Sequence, residues 1–145
     1  MYKKILVPLD GSELSESILK HVVTITTGCK VPKVILMRVQ KPLDDNVRTA
    51  LDPEIAIKLD EAYHDEVVNY LEGVAETLKQ KDISIKLEVI EGDPAKEIIK
   101  YTKDNDVDLI IMSTHGRSGV SRVVFGSVAD KVIRQAEIPV LIKPA

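Results

Sequence analysis

Tryptophan is absent from this 145-residue chain, phenylalanine occurs once, and aromatic residues make up only 3%. Platforms that stack single-stranded nucleic acid need several aromatic faces, so that class of partner is set aside. A single cysteine, Cys29, excludes an intrachain disulfide and a cysteine-rich zinc site. It reads as a small apolar residue at a helix end, and the adjacent Lys30 is weak ground for a reactive thiol. No apolar run is long enough for a membrane span or a signal segment, because Asp10 interrupts the first run and later ones are short. The expectation is a cytoplasmic protein with no membrane partner. Charge of one sign is also lacking: 20 basic residues face 23 acidic ones, for a net −3. A nucleic-acid partner is therefore not expected.

What is present is an ordinary globular composition, 44% hydrophobic and 30% charged, in a length that suits one domain spanning 1–145. Residues 3–9, KKILVPL, predict a strand, and Asp10-Gly11-Ser12 a turn with Ser12 as N-cap. A helix is expected from there to Gly28 as C-cap, with Leu14, Ile18, Leu19, Val22 and Val23 at helical spacing. KVILMRV at 33–39 is a second strand. The stretch Gln40 to Pro53 reads as a surface excursion. Pro53 opens a long helix whose buried stripe is expected at Leu59, Tyr63, Val67, Tyr70, Leu71, Val74 and Leu78. SIKLEVI at 84–90 alternates between apolar and charged residues. Asp93 and Pro94 then start a third helix carrying Ile98, Ile99 and Thr102. LIIM at 109–112, a helix from Ser127 to about Ala136, and VLIK at 140–143 complete the order.

Strands alternating with helices predict the α/β class. Three strands are continuous apolar runs, as expected when helices cover both faces of a parallel sheet. The alternating third strand suits an edge. The predicted architecture is an open twisted parallel five-stranded sheet of order 3-2-1-4-5, flavodoxin/Rossmann-like, in a single domain. Strands one and four then flank the switch point, where ligands bind beyond the strand ends. The residues expected there are Pro8 to Asp10, Val39, and Met112 to Gly116. The last strand, Val140–Lys143, is apolar for an edge, which predicts a homodimer formed across it. Cover by the chain's own tail or by a neighbouring helix is the alternative.

The stretch Asp108–Ile133 holds the chemistry. A polar loop leads to Gly126-Ser127 at a helix start, where free N–H groups and the helix dipole suit a phosphate. Gly116 would let backbone approach a ligand, Arg117 and Arg122 offer charge, His115 adds a donor when protonated, and Ser127 can cap the helix. A plain loop whose glycines only make turns fits equally well. Neither a Walker A loop nor a G-x-G-x-x-G fingerprint is present. Asp104, Asp106 and Asp108 begin like a calcium loop, but Leu109 and His115 fill the positions that need Gly and Glu. His21 and His64 have no spaced partner for a metal.

The pieces KKILVPLDGSE, VILMRV, EGDPAKEII, DLIIMSTHGRSGVSRVVFGSVADKVI and IPVLIK resemble the universal stress protein family, of the ATP-binding type, over nearly the whole chain. The family's signature is Gly, two residues, Gly, nine residues, then Gly-Ser or Gly-Thr. Here it runs Ser113, two residues, Gly116, nine residues, Gly126-Ser127, so a serine stands at the first glycine position. The resemblance implies ATP or AMP as ligand, with Mg²⁺ (or Mn²⁺) carried on the phosphates. It implies that Val39 offers backbone to adenine, and that Pro8, Leu9 and Asp10 line the base and ribose. Met112 and Ser113 would flank the ribose, and Gly116, Arg117, Gly126, Ser127 and Val128 would hold the phosphates. No residue would coordinate the metal directly, with Asp10 reaching it through water.

Three functions follow as expectations. The first is a nucleotide-binding regulatory protein. The second is a slow ATP hydrolase, for which only His115 and Asp10 could serve as base. The third is a receiver-like phospho-switch, which lacks a clear phospho-acceptor at the end of strand three. No catalytic residue is assigned.

Overall fold

The computed structural model describes residues 1–114 and 126–144. In chain order the elements are β1 (Lys4–Pro8), α1 (Glu13–Glu16), α2 (Leu19–Gly28), β2 (Lys33–Gln40), α3 (Asp45–Ala50) and α4 (Pro53–Leu78). They continue with β3 (Ser84–Glu91), α5 (Pro94–Asp104), β4 (Leu109–Ser113), α6 (Ser127–Gln135) and β5 (Val140–Lys143). The five strands form one sheet in the order β3-β2-β1-β4-β5, and every pairing is parallel.

The apolar strands alternate between two cores. Ile5, Val7, Val34, Leu36, Leu109 and Ile111 pack on the face that carries α2 and α4, together with Val22, Val67 and Leu71. Leu6, Ile35, Met37, Ile110 and Met112 point the other way, into the core made with α5 and α6 through Ile98, Ala129 and Val132. A strand buried on both sides must be apolar at every position, which is why no period of two is visible in these runs. β3 does alternate because it is an edge: Ile85, Leu87 and Val89 pack on the first core. Lys86 and Glu88 pair at 2.9 Å on the other face, where the Tyr101 hydroxyl donates to Glu88 at 3.2 Å. Asp108 fixes the entry to β1 by accepting the backbone N–H groups of Lys3 and Lys4, both at 2.7 Å.

Several local expectations are corrected. The first helix is two: α1 ends at Glu16 and α2 begins at Leu19. Ser15 turns its hydroxyl onto the Ser12 carbonyl at 2.9 Å, the kind of local competition that shortens serine-rich helices. Gly28 is not the C-cap. Cys29 holds that position and is exposed, and Lys30 takes the left-handed conformation at φ 52°. The Val31 N–H closes the turn onto Thr26 O at 3.0 Å, a Schellman closure in which lysine stands where glycine is usual. The excursion before Pro53 contains the short α3, capped by Asp44, whose side chain accepts from Asn46 N–H at 2.8 Å.

Helix α4 is longer than the sheet it covers. Its 26 residues span about 39 Å. Val67, Leu71, Val74 and Leu78 are buried, whereas Leu59 is 47% and Tyr63 41% exposed. The apolar stripe continues past the sheet, so in the N-terminal half of α4 Ala56 is buried but the large apolar side chains are exposed. Among the described residues, no helix is long and apolar enough to cross a membrane.

Candidate nucleotide-binding cleft

A cleft of about 450 Å³ opens beyond the carboxyl ends of β1, β2 and β4. In a doubly wound sheet this is where connections diverge to opposite faces, leaving a gap between the first turns of the helices. Pro8, Leu9 and Asp10 form its wall at the end of β1, and Met37, Arg38 and Val39 its wall at the end of β2. Met112, Ser113 and Thr114 close β4, and Gly126, Ser127 and Val128 bring in the start of α6. Nine of the residues singled out from the sequence therefore meet in one place: Pro8, Leu9, Asp10, Val39, Met112, Ser113, Gly126, Ser127 and Val128. Gly116 and Arg117, like His115 and Arg122, lie outside the described residues.

Short backbone bonds hold these walls. Leu9 N–H donates to Met37 O at 2.8 Å, joining the ends of β1 and β2. Thr114 N–H donates to Lys143 O at 3.1 Å, and Gly126 N–H to Thr114 O at 2.9 Å, so the residues on either side of 115–125 are tied together. The Asp10 turn is built from its own side chains. Asp10 Oδ1 accepts from Ser12 N–H at 2.9 Å and from the Ser12 hydroxyl at 2.5 Å. Ser12 Oγ in turn accepts from Ser15 N–H at 3.0 Å and caps α1. Gly11 between them adopts φ 85°, a conformation that a side chain would strain.

Two helix starts lack a side-chain cap, that of α2 at Ile18 and that of α6 at Gly126, and of these α6 opens on the cleft. α1, α3, α4 and α5 begin with Ser12, Asp44, Asp52 and Asp93, each of which caps a backbone N–H with its side chain. α6 begins with Gly126, which has no side chain to do so, and Ser127 is the first helical residue rather than the cap. The first-turn N–H groups of α6 thus face the cleft without a side-chain cap, at the positive end of the helix dipole.

The cleft also contains residues that the sequence reading did not single out for the site. Ser15, Lys41, Tyr63, Pro94 and Ile98 line it, and so does Arg38. Tyr63 has the spacing of the apolar stripe of α4, which marks it as core in the sequence. Arg38 stands inside an apolar strand, and a charge in a run otherwise buried on both faces is the signal that could have found it.

A model of the universal stress protein family matches residues 1–144. The chain belongs to the universal stress protein family. Universal stress protein MJ0577 of Methanocaldococcus jannaschii is 32% identical to this family member, over 98% of this chain and 94% of its own length. The solved structure of MJ0577 superposes with a TM-score of 0.80 at 35% identity, covering 98% of this chain and 95% of that one. More distant structures share the fold. A universal stress protein family protein of Arabidopsis thaliana, solved with AMP bound, has 18% identity and a TM-score of 0.64, covering 97% of this chain and 90% of its own. The universal stress protein of Archaeoglobus fulgidus, in complex with dAMP, has 19% identity and a TM-score of 0.63, covering 97% of each chain.

Proposed function

We propose that this chain is a regulatory protein that binds an adenine nucleotide, ATP or AMP, in the cleft between the ends of β1 and β4. The observation that carries the reading is the uncapped start of α6 at Gly126, opening on a cleft whose opposite wall is the Asp10 turn. N–H groups at a helix start satisfy phosphate oxygens, and the dipole favours their charge. In this reading Gly126, Ser127 and Val128 hold phosphate. Gly116 and Arg117 join them on the strength of the family pattern. Ser113 and Met112 flank the ribose, Asp10 accepts from a ribose hydroxyl, and Val39 offers backbone to the base beside Pro8 and Leu9. The nucleotides in the Arabidopsis and Archaeoglobus relatives support the ligand class.

The donor set fits Mg²⁺ or Mn²⁺ only as an ion carried on the phosphates. Among the described residues no group of three His, Cys, Asp or Glu could hold a metal. Asp10 is the one carboxylate among the described cleft residues, placed to order water around such an ion. The ion would neutralise phosphate charge, while the chain's own residues bind and orient the nucleotide. The protein would act in the cytoplasm, among free nucleotides. It would pair with a second copy along β5, whose residues Val140–Lys143 are half-buried at the sheet edge. A monomer in sedimentation at micromolar concentration overturns that pairing.

The test is to denature purified protein, identify any released nucleotide, and titrate stripped protein with ATP, AMP and GTP, with and without Mg²⁺. Adenine nucleotides are expected to bind, and Gly116→Val to abolish binding in a folded protein. No binding of any of the three at millimolar concentration overturns the reading.

A further inference from the structure

Arg38 is the cleft's buried cation. Its residue is only 7% exposed, yet it lines the cleft. Strand alternation places it on the face of Leu36, towards α4, and its contacts agree. The guanidinium lies 5.7 Å from the centre of the Tyr70 ring and donates to the Tyr63 hydroxyl at 3.4 Å. Tyr63 lines the same cleft, so the guanidinium stands at its margin. Among the described residues this is its one hydrogen bond, and no carboxylate lies within ion-pair distance. A guanidinium carries five N–H donors, and burying its charge without an anion is costly. Lys41, two residues beyond β2's Val39, adds a second positive charge to the same side of the cleft. Asp10 is the only described cleft residue of opposite charge, and its Oδ1 already takes two bonds from Ser12.

The uncapped start of α6 sits at the end of β4, two strands away from β2 in the sheet. Neighbouring strands are about 4.8 Å apart, so the ends of β2 and β4 stand about 10 Å apart in the sheet, and the cleft between them has Arg38 on one side and the start of α6 on the other. That separation is on the scale of one nucleotide. A 5′-phosphate at α6 therefore leaves Arg38 and Lys41 beside the nucleoside end of the ligand.

We propose that Arg38, with Lys41 and the Tyr63 hydroxyl, forms a second anion subsite that takes a phosphate group at the nucleoside end. The preferred ligand is an adenosine that carries a 2′- or 3′-phosphate as well as its 5′-phosphate. The proposal rests on the nucleotide-binding reading for the position of the first phosphate. Arg38 satisfies its donors on the second phosphate, and the Tyr70 ring holds the guanidinium plane while it does so.

The experiment compares Kd values of stripped protein for AMP, adenosine 3′,5′-bisphosphate and adenosine 2′,5′-bisphosphate by calorimetry. AMP with added inorganic phosphate is measured alongside. One of the bisphosphates is expected to bind about tenfold tighter than AMP, the scale of one charge-assisted contact. Arg38→Gln should erase that preference, so that the bisphosphate binds no tighter than AMP to the same variant. Lys41→Gln, at an exposed position, serves as a second variant with the fold undisturbed, and should reduce the preference. If inorganic phosphate strengthens AMP binding in the wild type but not in Arg38→Gln, the subsite takes the phosphate group from a separate molecule. If AMP binds, but both bisphosphates bind no tighter and inorganic phosphate has no effect, the subsite is overturned and the nucleotide-binding reading stands. If AMP itself does not bind, both fall.

Discussion

Asp10 Oδ1 accepts both the backbone N–H and the hydroxyl of Ser12, at 2.9 and 2.5 Å, so a residue on the cleft wall also shapes the turn that starts α1. Its two tasks can be separated. Asp10→Ala removes the acceptor and should lower stability by about 1 kcal/mol in urea denaturation. Asp10→Asn keeps an oxygen at the same place and should hold most of that stability. Nucleotide affinity should fall in the alanine variant more than in the asparagine one, as read by calorimetry.

Gly126 offers a contrast between fold and function. Its φ of −59° and ψ of 155° suit any N-cap residue. Gly126→Asp supplies the missing cap and places a negative charge at the helix start, which should stabilise the fold by about 0.5 kcal/mol. The same carboxylate occupies the N–H groups and repels phosphate, so nucleotide affinity should fall by about tenfold or more. Thermal melts without ligand and ATP titration report the two effects. A stabilised variant that binds ATP unchanged would remove α6 from the phosphate site.

The two halves of α4 should respond differently to truncation. Leu71 is fully buried and Leu59 is 47% exposed on the same helix. Leu71→Ala should cost about 2–5 kcal/mol by creating a cavity in the first core. Leu59→Ala should change stability by about 0.5 kcal/mol or less. Equal losses in chemical denaturation would mean that the overhanging half is packed in solution.

Tyr70 gives a pH dependence with a definite sign. Burial, and then the nearby Glu16 carboxylate, push its phenol well above the ordinary tyrosine value. In the unfolded chain it ionises near pH 10, while in the fold it stays protonated. Its contribution to stability is complete below that pH and is lost as pH rises above it. Tyr70→Phe should flatten the alkaline limb of a stability profile. At neutral pH the change should be close to neutral, because the hydroxyl is buried with no hydrogen-bond partner among the described residues. The phenylalanine ring still faces Arg38. A large loss at pH 7 would show that the hydroxyl has a partner in solution.

The strand order and the position of the cleft could be read from the residues because both depend on burial. Ile5-Leu6-Val7 and Leu109 to Met112 are apolar because they divide between two cores, and the alternation of Lys86 and Glu88 marks an edge. What could not be read depends on where an element ends relative to its neighbour. Leu59 and Tyr63 carry the same helical spacing as Val67 and Leu71, and only the length of the sheet beneath α4 separates cleft wall from core. The helix begins at Ser127 as expected, but with Ser127 as its first helical residue, so the N-cap falls on Gly126 and has no side chain to cap with. Arg38 needed its aromatic neighbours on α4, 25 and 32 positions away, before its burial made sense.

Among the described residues, the sheet separates two cores that share no side chains, one with α2 and α4 and the other with α5 and α6. The cleft is rimmed from both sides: Leu9 belongs to the first core, while Ile98, Met112 and Ala129 belong to the second. An occupant would therefore tie together the layers on the two sides of the sheet. Its binding energy would be felt on both faces of the sheet. Amide exchange should slow in α1 and α4 as well as in α5 and α6, and the two layers should melt as one unit when the cleft is filled.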